Sequence, residues 1–101
     1  MYKTITVNDI RKLIKKCISN NFLEFDTSPS YKKADKILLE FKKRNPKILI
    51  NTKCGWDLNM KRTYKIDEIK KGIENTLEKF GRINALQLHN PRNEIKKWDL
   101  I

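Results

Sequence analysis

Apolar residues recur along the chain in two alternating rhythms. Ile10, Leu13, Ile14, Cys17 and Ile18 fall three and four apart, which predicts an amphipathic helix from about Asn8 to Ser19. Thr6-Val7-Asn8-Asp9 ahead of it suits a capping box, a hydroxyl followed three residues later by an acid. Asn20-Asn21 closes it, because Asn tolerates left-handed backbone. Phe22 to Phe25 then reads as a short strand. Ala34, Ile37, Leu38 and Phe41 mark a second helix, stopped at Asn45-Pro46 because proline disfavours helical geometry in the residue before it. Lys47 to Thr52 reads as a strand, and Gly55 to Thr63, which has no period, as a loop. Ile66, Ile69, Ile73, Leu77 and Phe80 mark a third helix with Gly81 as its C-terminal cap. Arg82 to Leu88 is a third strand, Asn90-Pro91 breaks it, and Glu94 to Ile101 opens another helix. Helix and strand alternate with short connections, so the class is α/β, with parallel strands joined by right-handed crossovers. No repeat or low-complexity linker interrupts residues 1–101, which read as one domain.

Composition changes this picture little. The 101 residues are 39% hydrophobic and 35% charged, as in a globular chain with a modest core. The formal net charge of +11 invites a nucleic-acid reading. The lysines are scattered through every segment among Glu and Asp, however, and residues such as Lys12, Lys15, Lys16, Lys70 and Lys71 suit solvated helix faces. Nucleic-acid binding is therefore not expected. Cys17 and Cys54 with the single His89 give no zinc-ligand spacing, so no metal is expected. Cys17 falls on an apolar helix face. No run is long enough to span a bilayer, the start carries no apolar signal core, and a reducing, cytoplasmic setting is expected.

Four polar residues stand at the ends of apolar runs: Asp26, Tyr31, Lys53 and His89. In parallel α/β folds function gathers at the carboxyl ends of strands, and in a (β/α)8 barrel that face carries the active site. Each residue also has a plain structural role open to it. Asp26 suits a turn cap, Tyr31 a half-buried packing position, Lys53 one more surface lysine, and His89 a bond to the loop at Asn90-Pro91. Their joint placement favours a shared site. Trp56, just past Lys53, suits either a substrate pocket wall or an exposed loop anchor.

The stretches Asp26-Thr27-Ser28-Pro29-Ser30-Tyr31, Thr52-Lys53 and Leu86-Gln87-Leu88-His89-Asn90-Pro91, in this order and spacing, resemble the aldo/keto reductase family. Residues 69–82 also look like that family's helix before the His-bearing strand. The resemblance implies reduction of a small-molecule aldehyde or ketone by NADPH or NADH, with a catalytic tetrad. Tyr31 would be the general acid. A free phenol releases its proton only near pH ~10, and a neighbouring ammonium, here Lys53, favours the phenolate. Asp26 would hold Lys53 and touch the cofactor, His89 would orient the carbonyl, and Trp56 would line the substrate pocket. The family's Gly after the Tyr is replaced by Lys32, and its following Glu by Asp35.

The resemblance also implies a partial (β/α)8 TIM barrel, since a complete one takes roughly 250 residues. Three strands are expected, without the strands and loops that supply the family's contacts to cofactor phosphates. Weak NADPH binding follows, as does self-association through exposed sheet edges and an apolar inner face. A reductase-derived interaction protein and a small basic nucleic-acid module are the alternatives.

Overall fold

The computed structural model describes residues 5–89. Three helices alternate with three strands: α1 Val7–Ser19, β1 Glu24–Asp26, α2 Lys32–Arg44, β2 Leu49–Cys54, α3 Ile66–Phe80 and β3 Ala85–Leu88. The strands form one parallel sheet in the order β1-β2-β3. This is the α/β alternation expected of part of a (β/α)8 barrel, and the sheet is open rather than closed among the described residues. The helix expected from Glu94 lies outside the described residues.

The helices begin and end where local chemistry dictates. Thr6 and Asp9 form the capping box of α1 through bonds of 3.0 and 3.1 Å. Gly81, at φ 75°, ends α3, and Asn45 ends α2 before Pro46. Ile14, Ile37, Leu38, Phe41, Ile48, Ile50 and Phe80 make the core between helices and sheet. Leu13, expected on the buried face of α1, is exposed. The helical period supplies a stripe wider than the contact that α1 makes with α2. β1 and β2 are displaced towards the C-terminus from their apolar runs, and β3 starts at Ala85 rather than Arg82 but ends at Leu88 as expected. β1 starts at Glu24 rather than Phe22, and β2 runs on through Lys53 and Cys54. Pairing extends the strands beyond their apolar residues: Asn51 faces Ala85 and Lys53 faces Gln87 in the register of β2 and β3.

Alternation along β2 separates two faces. Ile50 and Thr52, 0% and 2% exposed, turn towards the helices. Leu49, Asn51 and Lys53 turn away from them, beside Glu24 and Asp26 of β1 and Ala85 and Gln87 of β3. An apolar inner face was the expectation, and the structure corrects it. Of these seven residues only Leu49 and Ala85 are apolar. Amides and a carboxylate bridge the three strands: Asn84 Nδ2 donates to Asn51 Oδ1 at 2.9 Å, and Asn51 Nδ2 donates to Asp26 Oδ1 at 2.9 Å. The apolar runs of the sequence serve the helix-covered face, so they say nothing of the opposite one.

Candidate functional site

The carboxyl edge of the sheet gathers the four polar residues. Asp26 is the last residue of β1, Lys53 the fifth of β2, and His89 follows β3 directly. The His89 N–H donates to the Cys54 carbonyl at 2.8 Å, which continues the sheet pairing by one step and fixes the backbone there. Tyr31 arrives from the β1–α2 loop as the N-cap residue of α2.

Two pairs of side chains form at this edge. Lys53 Nζ lies 5.6 Å from the centre of the Tyr31 ring, within the range of a cation–π attraction. The His89 imidazole lies against the Trp56 indole, with ring centres 4.5 Å apart and planes tilted by 31°. Trp56 is 7% exposed, so it is a buried anchor rather than an exposed one. It also borders a narrow cleft with Pro29, Lys53, Cys54, Met60 and Thr76.

Asp26 stands apart from both pairs. Its Oδ1 accepts the Asn51 amide, and among the described residues Lys53 makes no ion pair with it. The lateral amide is closer in the pleat: Asn51 is Asp26's register partner across β1 and β2.

The loop from Gly55 to Thr63 seats Trp56. Thr63 N–H donates to the Gly55 carbonyl at 2.9 Å, Trp56 bridges Arg62 in antiparallel fashion, and Asp57 Oδ1 accepts the N–H groups of Asn59 and Lys61. Gly55 adopts φ 121°, a conformation that side chains rarely allow. At α3 the loop comes so close that a Cβ on Gly72 would lie 2.9 Å from the Trp56 carbonyl oxygen. Burial pushes the neighbouring Cys54 thiol pKa up, because the thiolate loses its hydration.

Asn51 and Asn84 escaped the sequence reading, and Asp35 entered it only as the counterpart of the family's Glu, with no role attached. Asn51 holds Asp26 and Asn84 holds Asn51, although a period-two reading back from Lys53 places Asn51 on the same face. Asp35, buried in the first turn of α2, joins Thr27 to Lys79. Among the described residues no three of His, Cys, Asp and Glu are grouped to hold a metal ion, and no helix is long and apolar enough to cross a membrane.

The family model for the aldo/keto reductase family matches residues 2–97. No curated protein and no solved structure matches the chain.

Proposed function

As the chain belongs to the aldo/keto reductase family, we propose that it reduces an aldehyde or ketone to the alcohol, with Tyr31, Lys53, Asp26 and His89 as its catalytic group. The observation that carries this reading is the Lys53 ammonium above the Tyr31 ring, 5.6 Å from its centre, at the carboxyl edge of the sheet. The Tyr31 hydroxyl gives its proton to the carbonyl oxygen, and the Lys53 charge stabilises the phenolate left behind. His89 directs a ring N–H at the same oxygen, and Trp56 fixes the plane of that ring. Asp26, oriented by Asn51, completes the polar group at this edge.

NADPH or NADH supplies the hydride when bound, since no side chain can. The polar face fits the nicotinamide end: the Asp26 carboxylate and Asn51 amide suit a carboxamide. The chain has only three glycines, Gly55, Gly72 and Gly81, and no Gly-rich loop to cradle phosphates. Weak NADPH binding is therefore part of the reading. So is self-association, because β1 and β3 are the edges of the sheet among the described residues. The free thiols of Cys17 and Cys54 suit a cytoplasmic setting.

NADPH oxidation in the presence of 4-nitrobenzaldehyde tests the activity. Turnover by the wild type that Tyr31→Phe abolishes is expected; wild-type turnover no faster than the protein-free rate overturns it. Fluorescence titration tests the cofactor part, and micromolar binding by a monomer would sink the claim of weak affinity. A second reading, a reductase-derived interaction protein, is favoured by Asp26 bonding Asn51 instead of Lys53. In that case Tyr31→Phe leaves partner binding intact.

A further inference from the structure

One buried acidic residue meets both ends of the loop that carries Tyr31, its carboxylate at the start of the loop and its backbone at the end. The Asp35 side chain is 5% exposed. Its Oδ1 accepts the Thr27 hydroxyl at 3.2 Å, at the start of the loop. Its backbone N–H donates to the Tyr31 carbonyl at 2.8 Å, at the end of the loop. Its Oδ2 accepts Lys79 Nζ at 3.1 Å, from the last turn of α3. Thr27, itself 1% exposed, is fixed to β2 by its N–H to the Asn51 carbonyl at 2.8 Å.

Packing alone does not require this arrangement. A buried carboxylate loses its hydration and is retained only with a cation and hydrogen bonds in place, whereas an apolar residue holds two helices together without that cost. The carboxylate differs from an apolar residue in being directional. It sets the distance between Thr27 and the first turn of α2, and so the direction in which the chain leaves Tyr31. Tyr31 needs such support. It is 51% exposed, and as N-cap residue it makes no side-chain capping bond. Within the loop, its N–H donates to the Ser28 carbonyl at 2.9 Å, and the Ser28 and Ser30 hydroxyls share a bond of 2.8 Å. The backbone from Thr27 to Asp35 therefore aims the phenol.

We infer that Asp35, held by Lys79 and Thr27, is a positioning residue that fixes the Tyr31 phenol beside Lys53; this rests on the reading of Tyr31 as proton donor. Asp35 touches neither substrate nor cofactor in this role. Lys79 extends the control to α3, 44 residues away in sequence.

The test uses Asp35→Asn, Asp35→Glu and Lys79→Met in the full chain. Lys79 is 37% exposed at its side chain, so its replacement leaves the core intact if Asp35→Asn fails to fold. The first readout is the NMR cross-relaxation between the Tyr31 ring and the Lys53 side chain. It is expected in the wild type, lost in Asp35→Asn and Lys79→Met, and restored in Asp35→Glu. The second is the split between kcat and KM for aldehyde reduction. A fall in kcat of about 10- to 100-fold with KM within about twofold is expected for misplacement of the acid. Ile14→Val, in the core on α1 and in neither the loop nor α3, serves as the control for lost stability alone: it lowers the melting temperature without moving either readout. Retention of the ring contact in both charge-removing variants overturns the inference. Wild type without turnover but with the expected contact pattern overturns the reductase reading and leaves the positioning role standing.

Discussion

Gly72→Ala is a substitution whose sign the structure reverses. In an exposed helix interior, Ala in place of Gly stabilises by about 1 kcal/mol, because Gly loses more backbone freedom on folding. Gly72 lies within α3, and its new Cβ would sit 2.9 Å from the Trp56 carbonyl oxygen. That oxygen is backbone and cannot rotate aside. The Trp56 segment is held by the Gly55–Thr63 hydrogen bond, the bridge to Arg62 and the stack on His89. Overpacking of this kind costs roughly 1–3 kcal/mol. Against the helix gain, the balance is between about zero and 2 kcal/mol of destabilisation. For a domain of about 100 residues, each kcal/mol is worth roughly 4–8 °C in Tm. Calorimetry of wild type and variant measures the balance, and the Trp56–His89 ring contact, followed by NMR, measures displacement of the loop. A lower Tm with a weakened ring contact is expected. A Tm raised by several degrees with the ring contact unchanged would refute the reasoning, since it would mean that α3 and the loop do not press on each other.

Ile50→Ala, at a position 0% exposed in the central strand, is expected to cost about 2–5 kcal/mol by denaturant unfolding. Hydrogen bonds from Thr6 hold the Asp9 carboxyl below its ordinary value of 3.8. The folded value is depressed, so this contribution is present above 3.8 and is lost as pH falls through the folded value. Asp9→Asn should therefore flatten the acid limb of α1 stability, as read by circular dichroism from pH 6 downward in roughly unit steps. The Cys54 thiol is raised above its ordinary 9.0 by burial. Its stabilising effect is complete below the unfolded value and declines as pH rises through the folded one. Iodoacetamide should accordingly modify Cys54 at higher pH in the folded protein than in urea; coincident profiles would contradict the burial. Asn51→Ala removes two exposed amide bonds and should cost under about 1.5 kcal/mol by urea unfolding, while freeing Asp26 to approach Lys53.

Much of the fold is legible in the order of residues because each helix carries its own punctuation. Thr6 and Asp9, Asn45-Pro46 and Gly81 mark ends by local rules that need no knowledge of the rest of the chain. The strands are less legible, since their limits depend on a neighbour. Lys53 belongs to β2 because Gln87 lies opposite it, and no pattern around Lys53 reveals that. The same holds for the uncovered sheet face. Asp26, Asn51 and Asn84 are distant in sequence, and only the register brings their side chains into one hydrogen-bonded line. The motif around Tyr31 marks a chemically suggestive loop. Asp35 is legible in the sequence only as the counterpart of the family's Glu, and its role is not, because its partner Lys79 comes from another helix.

The two side-chain pairs at the sheet edge share one support. Lys79, in the last turn of α3, holds Asp35 and through it the loop of Tyr31. Gly72, on the same helix, receives the Trp56 carbonyl and so seats the ring that lies on His89. The two positions are seven residues apart, nearly two full turns, which puts them on one face of α3 about 10 Å from each other. An α-helix transmits displacement along its axis with little give, because every turn is bonded to the next. A shift of α3 therefore reaches the loop of Tyr31 and the loop of Trp56 together, whereas Lys53 and the His89 backbone stay with the sheet. The spacing between Lys53 and Tyr31 thus depends on how α3 packs, with Phe80 in the core beneath it. Core packing beneath α3 and the geometry of the candidate site are in this sense the same variable.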